Sequence, residues 1–385
     1  MKNSMKIAVN ALPLTGLVTG VARYVRNLYV EMERIPECEI HYYTGTRLSR
    51  QMPAQAEPGE WMKRTEWLWK FPDVIVTTLR AIHWLLFERH LRGTLKTEPV
   101  SIYHETAAFT AANIFKRIPQ VFTLYDLSLL RFRDMHPRER VWFADLFFKR
   151  RLKEATHIIT ISDFIRQEAI EYLQIPEDRI TAIPLAPAPQ FKEQTEDTCR
   201  AVREKYSLPE SYFLFVGTLE PRKNIETVVN ALKGTDAAHH FVITGWDGWG
   251  DKQWMSQDEG EEYKKRIHLT GYIPDEDLPA LYAAATALVY ISHYEGFGLP
   301  VVEAMACGCP VICSDAASLP EAGGNAARYI APDDIEGVVT AMNDVASDDK
   351  LRATMKAKGL RHAASLSWED NARRTYEVFK MLHDS

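Results

Sequence analysis

Short apolar runs alternate with amphipathic stretches of helical length along the whole of this 385-residue chain. Runs at residues 6–9, 39–43, 101–104, 120–124 and 157–161 form a first series, and runs at 212–216, 240–244, 266–269, 287–291 and 310–313 a second. They are rich in β-branched and aromatic residues, and segments of roughly 10–20 residues with helical periodicity lie between most of them. Parallel neighbours need long crossover connections, usually helices, so the pattern predicts an α/β chain of parallel sheets covered on both faces.

A chain of this length outgrows one hydrophobic core, and the break between the two series is visible. Leu185-Ala-Pro-Ala-Pro-Gln190 and the polar residues after it read as a linker. The expected organisation is a doubly wound domain over 1–190, a second over 191–366, and a terminal segment 367–385. Residues 368–383 of that segment read as one amphipathic helix packing back on the first domain. Two such domains facing each other place a cleft between the carboxyl ends of two sheets, so functional residues should lie on loops just after strands.

Composition excludes several classes. A net charge of −6 with 25% charged and 46% hydrophobic residues describes an ordinary globular protein and argues against nucleic acid as a partner. The five cysteines form no C-x-x-C pair, and Cys307, Cys309 and Cys313 crowd a helix end and an apolar strand. They read as small buried hydrophobes in a reducing cytosol rather than metal ligands. No run of eighteen apolar residues occurs, and residues 5–10 read as a short strand, so no signal peptide is expected. The expected location is cytoplasmic.

The most informative segment is His293-Tyr-Glu-Gly-Phe-Gly-Leu-Pro-Val-Val-Glu-Ala-Met-Ala-Cys-Gly308. A strand ends, a glycine-punctuated turn follows, and a helix starts near Leu299 with Pro300 in its first turn. Gly296 and Gly298 let backbone approach a ligand closely, and the free amides of a helix start suit a phosphate. Glu295 on the turn and Glu303 one helical turn inside can point to one pocket, where paired carboxylates would grip the hydroxyls of a sugar and a ribose. A second element, Phe215-Val-Gly-Thr-Leu-Glu-Pro-Arg-Lys-Asn224, places Arg222 and Lys223 after the first strand of the second domain, where cations can neutralise a diphosphate without a metal. No D-x-D pattern sits at a suitable strand end, so no metal or other cofactor is expected.

The segment from Glu295 to Val311 resembles the paired-glutamate signature of the family 4 retaining glycosyltransferases, which adopt the GT-B fold of two Rossmann-like domains. The resemblance implies that Glu295 contacts the donor sugar, that Glu303 holds the nucleotide ribose, and that Gly296, Phe297, Gly298 and Leu299 line the donor site. It implies the same site for Gly217, Thr218, Arg222 and Lys223, although Thr218 stands where the family usually has its Arg. The family packs the nucleotide base near Tyr272 and Ile273, with Gly245 and Trp246 at a neighbouring strand end; core packing is the other reading of these rings. In the first domain, Gly16 and Gly20 resemble the glycine-rich loop over donor phosphates and acceptor, with a simple tight connection as the alternative. His104 resembles the family's His near the reacting carbon. Asp126 matches a Thr-x-His-Asp-Leu pattern in which Tyr125 replaces the usual His, and Ser162 resembles a recurrent strand-end serine on the acceptor side.

The resemblance also implies chemistry: transfer with retention by same-face attack, in which the donor phosphate takes the acceptor proton. GDP-mannose is the first expected donor and a UDP-hexose the second, with a glycan or lipid-linked acceptor in surface polysaccharide synthesis. A sugar-nucleotide epimerase of the same fold and a nucleotide-sugar-binding regulatory protein are the rival readings. Residues 61–96 add a further feature: Trp61, Trp67, Trp69 and Trp84 among seven Lys or Arg and three acids. That mixture suits peripheral contact with an anionic membrane, or else an ordinary amphipathic helix packed on the first domain.

Overall fold

A computed structural model describes residues 4–16, 19–54, 71–107, 117–236, 239–250, 254 and 262–385. Trp61, Trp67, Trp69, Lys63, Arg64 and Lys70 of the aromatic and basic stretch lie outside the described residues.

The chain divides into two compact units, Met1–Leu185 with Trp368–Ser385, and Ala186–Ser367. The division falls before the Pro-rich segment rather than at its end. Ala186, Ala188 and Phe191 are buried, and the Phe191 ring meets that of Tyr282 at 5.9 Å, so these residues belong to the second core.

In the first unit the strands are β1 (Met5–Asn10), β2 (Cys38–Tyr43), β3 (Leu48–Ser49), β4 (Ile102–Glu105), β5 (Gln120–Leu124), β6 (His157–Thr160) and β7 (Ile180–Ala182). They make one sheet in the order β3-β2-β1-β4-β5-β6-β7, parallel except for the edge strand β3. Helix α1 (Gly20–Met32) follows β1 and is capped by Thr19, whose hydroxyl accepts from the Ala22 amide at 3.3 Å. Helix α2 (Asp73–Thr97) lays Trp84, Phe87, Leu91 and Leu95 against Tyr43 and Tyr103. Helix α3 (Asp163–Leu173) follows β6.

The second unit holds β8 (Tyr212–Val216), β9 (His240–Thr244), β10 (Ile267–Gly271), β11 (Ala287–Tyr290), β12 (Val311–Ser314) and β13 (Arg328–Ile330), all parallel, in the order β10-β9-β8-β11-β12-β13. Helix α4 (Leu278–Ala284) precedes β11, and α5 (Leu299–Ala306) follows it. Strands β8 and β11 are buried along their whole length, as a sheet covered on both faces demands. Cys307, Cys309 and Cys313 are buried in this core.

The terminal helix α6 (Trp368–His383) belongs to the first unit. Trp368 meets Tyr24 at 6.1 Å and Phe379 meets His104 at 5.2 Å, while the Asn371 amide donates to the Pro184 carbonyl at 2.8 Å.

Each sheet reverses its direction of growth once, between β1 and β4 and between β8 and β11. Loops leaving adjacent strands in opposite directions open a crevice at their carboxyl ends. In the second unit, the two loops concerned carry Arg222 and Lys223 and the Glu295 segment.

Candidate active site

After β8 the chain makes a tight turn over Pro221–Lys223, closed by Asn224 at φ 53°. After β11 it runs through Tyr294 to Gly298, and the His293 amide donates to the Arg222 carbonyl at 2.9 Å. That bond joins the two loops and sets their charged side chains face to face. Lys223 Nζ donates to Glu295 Oε1 at 2.6 Å and to the Tyr290 hydroxyl at 2.7 Å. Arg222 Nη1 reaches Glu295 Oε2 at 3.2 Å and the Tyr294 carbonyl, and Nη2 pairs with Glu220.

The cluster is buried, with Glu295 only 6% exposed. Burial would raise the Glu295 carboxyl, but Lys223 first and Arg222 second outweigh it and hold the group at about 2, against 4.5 ordinarily. Two cations face two carboxylates, so the cluster is charge-balanced. In this structure both cations are engaged: Arg222 is committed to Glu220 and Glu295, and Lys223 shares itself between Glu295 and Tyr290.

The paired glutamates are likewise separated in their contacts. Glu303, 1% exposed on α5, accepts from the Tyr282 hydroxyl at 3.1 Å, whereas Glu295 belongs to the Arg222–Lys223 cluster. An eight-residue helix packed on all sides turns Glu303 toward α4 and leaves Glu295 on the preceding turn. Gly298 caps α5 at φ 109°, and a Cβ there would come 2.7 Å from Leu319. Phe297 is core, and Leu299 begins the helix beyond the Gly296 turn. The Glu295 carbonyl accepts from the Ser318 hydroxyl at 2.8 Å, pinning that turn from below.

Gly217, Gly245 and Gly271 follow one another at the ends of β8, β9 and β10. The Gly217 amide donates to the Thr244 carbonyl and the Gly245 amide to the Gly271 carbonyl, each at 2.9 Å. Thr218 is half-buried beside them. Trp246 and Tyr272 stack with centroids 4.4 Å apart at 24°, so the two rings form one partly exposed platform. Ile273 is 2% exposed and is core.

The first unit treats its candidates differently. His104 is wholly buried, its Nδ1 2.5 Å from the Tyr29 hydroxyl and its Nε2 2.8 Å from Thr123 Oγ1. Burial holds it at about 3, hence neutral. β4 turns this side chain toward α1 and α6, so the expectation of a catalytic histidine on a cleft edge is corrected. Ser162, also fully buried, caps α3 by accepting from the Ile165 amide at 3.2 Å; its strand-end position serves the helix. Asp126 accepts from the Ser128 amide at 2.9 Å and hydroxyl at 2.7 Å, which shapes the turn after β5. Tyr125 donates to the Thr106 carbonyl at 2.7 Å. Gly16 ends a short turn after β1 and Gly20 begins α1.

Three participants escaped the sequence reading. Tyr290 and Glu220 complete the charged cluster; the sole hint was Glu220 standing two residues before Arg222. Glu105, 3% exposed at the end of β4, accepts from Asn10 at 2.7 Å, the Tyr103 hydroxyl at 2.9 Å and the Ala107 amide at 2.9 Å. Among the described residues, no group of three or more His, Cys, Asp or Glu side chains is placed to hold a metal ion.

The family model described as "Glycosyl transferases group 1" matches residues 200–362, and that described as "Glycosyltransferase Family 4" matches 18–186. The O-antigen chain mannosyltransferase B of Escherichia coli is 32% identical over 98% of this chain and all of its own length. The serotype-specific mannosyltransferase WbdA of Escherichia coli is 31% identical over 62% of this chain, which spans 31% of that longer protein. Among solved structures, sucrose-phosphate synthase from Thermosynechococcus elongatus aligns over 98% of this chain and 99% of its own, with a TM-score of 0.72 at 20% identity. WaaG, a glycosyltransferase involved in lipopolysaccharide biosynthesis, aligns over 97% and 99% with a TM-score of 0.68 at 14% identity. These likenesses place the fold in the GT-B class. Spanning both units and the full length of a mannosyltransferase, they establish that the chain belongs to the family 4 glycosyltransferases.

Proposed function

We propose that this glycosyltransferase moves mannose from GDP-mannose to a glycan or lipid-linked acceptor of a surface polysaccharide, with retention and without a metal. The observation that carries the reading is the Lys223–Glu295–Arg222 cluster at the switch point of the second sheet, in a chain that is 32% identical over 98% of its length to an O-antigen mannosyltransferase. A UDP-hexose is the second donor: Anabaena HepE, solved with UDP and glucose, aligns over 98% of this chain with a TM-score of 0.69.

In this reading the donor occupies the second unit. Glu295, ionised at every physiological pH, accepts from sugar hydroxyls while Lys223 and the amides of the 296–299 turn meet the diphosphate. Because the cluster is already neutral, a diphosphate is accommodated by the helix-start dipole and by Lys223 turning from Tyr290 toward phosphate oxygen. Arg222 then acts chiefly to hold Glu295 in place. Trp246 and Tyr272 offer a stacking face for the base, and Glu303 would meet the ribose. The donor phosphate takes the acceptor proton on the face that the leaving group vacates. The acceptor falls to the first unit, with Asp126, Tyr125 and the Gly16–Gly20 turn on its side. The reading places the enzyme in the cytoplasm, with peripheral membrane contact through residues 61–96; among the described residues, no helix is long and apolar enough to cross a membrane.

Melting temperature without added metal tests the donor. GDP and GDP-mannose should raise it by several degrees, more than UDP or UDP-hexoses, and Glu303→Gln should remove the shift while still accepting from Tyr282. No shift with any nucleotide would sink the donor-site reading. For stereochemistry, the product formed from an α-linked donor should be α by its anomeric coupling constant. A β product would end the retaining mechanism.

A further inference from the structure

One end of α2 carries a feature that the donor site does not use. A groove of about 930 Å³ runs between the loop after β2 and the outer face of α2, lined among others by Thr44, Thr46, His83, Leu86, Arg89 and His90. It lies at the carboxyl ends of β1 and β2, since Leu12 and Thr44, which follow those strands, both border it. Upstream on α2, Val74, Ile75, Leu79, Ile82, Leu85 and Leu86 are all more than 40% exposed. Leu79, Ile82 and Leu86 are spaced three and four residues apart and so form one stripe that runs into the groove. A helix that packs Trp84, Phe87 and Leu91 inward has no need of a second apolar face for its own fold.

The charge changes along the same helix. Arg89, Arg92 and Lys96 are exposed on its last turns, and Arg47 follows Thr46 on the opposing loop. None of the four has a carboxylate within ion-pairing distance among the described residues. The helix's other acids are Asp73, at its far end, and Glu88, which is buried against Arg151. Lys96 can serve the helix terminus, but Arg89 lies about two turns inside it and faces the groove instead. An apolar stripe leading to uncompensated cations, beside threonine hydroxyls, matches a molecule with an apolar tail and an anionic, hydrogen-bonding head.

We infer that this groove binds the phosphate of a single lipid-like amphiphile, whose tail lies along Leu79, Ile82 and Leu86. The ligand is the lipid carrier of the acceptor, and in that respect the inference rests on the proposed transfer to a lipid-linked acceptor. Its phosphate meets Arg89, with His83 and His90 alongside, and the threonines of the β2 loop face the first sugar.

Full-length protein is titrated with dodecyl phosphate below its micelle-forming concentration, with dodecyl maltoside and with inorganic phosphate. Dodecyl phosphate should bind at least about tenfold more tightly than either control, because only it offers both tail and charge. Arg89→Glu should erase the preference over dodecyl maltoside, and Leu86→Asp should weaken dodecyl phosphate by at least about tenfold. Both positions are exposed, Leu86 by 61%, so neither change threatens the fold. Equal affinity for the neutral and phosphorylated amphiphiles, or affinity untouched by Arg89→Glu, would overturn the inference. So would binding to phosphatidylglycerol vesicles with none to the dispersed amphiphile, which would give the face to a bilayer instead. GDP-induced stabilisation is read on the same samples: a nucleotide shift without amphiphile binding rejects the groove alone, and amphiphile binding without a nucleotide shift rejects the donor reading alone.

Discussion

Replacing Lys223 by Met is expected to lower kcat by about two to three orders of magnitude, the loss typical when one preorganised charge is removed from a developing anion. The variant should also lose stability, for a separate reason. Lys223 is the main attraction holding the Glu295 carboxyl at about 2, so without it a buried carboxylate keeps only Arg222, itself shared with Glu220. Breaking a buried ion pair from one side costs about 3–5 kcal/mol. A double variant, Lys223→Met with Glu295→Gln, removes both charges at once and should recover most of that stability, since replacing a whole buried pair is often close to neutral. Activity should not recover, because the double variant lacks both the cation proposed to meet the diphosphate and the carboxylate proposed to hold the sugar. Denaturant midpoints and initial rates on the three proteins separate the two effects. Recovery of activity in the double variant would show that Lys223 serves only to neutralise Glu295.

The same cluster gives a pH signature. The folded Glu295 carboxyl lies below its ordinary value, so its contribution is fully present above about pH 4.5 and is lost as pH falls toward 2. The difference corresponds to about 3 kcal/mol. In Lys223→Met the acid transition, followed by circular dichroism, should move to higher pH.

How much of this was legible beforehand differs from residue to residue. Central strands such as β8 and β11 are continuous apolar runs, and α6 is strongly amphipathic, so both were visible in the sequence. The edge strands β3, β7 and β13 are two or three residues long, too short for any periodicity to register. Arg222, Lys223 and Glu295 stood out because charge beside glycine at a strand end has few structural uses. Their mutual pairing did not, since Glu220 and Tyr290 reach the cluster only once β8 and β11 lie side by side. His104 shows the limit most clearly. On a strand buried over both faces, alternation cannot say which face a side chain takes, and only the packing of α1 and α6 decides it. Ser162 could have been read from its neighbours: a serine followed by Asp163 and a helical pattern is an N-cap signature.

Gly245→Ala is expected to cost more than about 4 kcal/mol and to abolish nucleotide-dependent stabilisation, although residue 245 carries no functional group. A Cβ at this position would lie 1.8 Å from the Gly217 carbonyl oxygen and 2.5 Å from its carbon. Both are backbone atoms, so no rotamer change relieves the overlap; the ends of β8 and β9 would have to part. Those ends are tied by the Gly217-to-Thr244 and Gly245-to-Gly271 bonds, and the loop beyond Gly217 is the one that carries Lys223. The residue's φ of 143° adds a strain that only glycine escapes. Gly271→Ala is the informative control. Its φ of 68° is also unfavourable, but no atom lies within 4 Å of the added Cβ, so its cost should stay near the 1–2 kcal/mol of a left-handed residue, about a third of the first effect. A midpoint for Gly245→Ala close to that of Gly271→Ala would mean that the strand ends part easily. The close approach of these two loops would then not be what fixes Lys223 opposite Glu295.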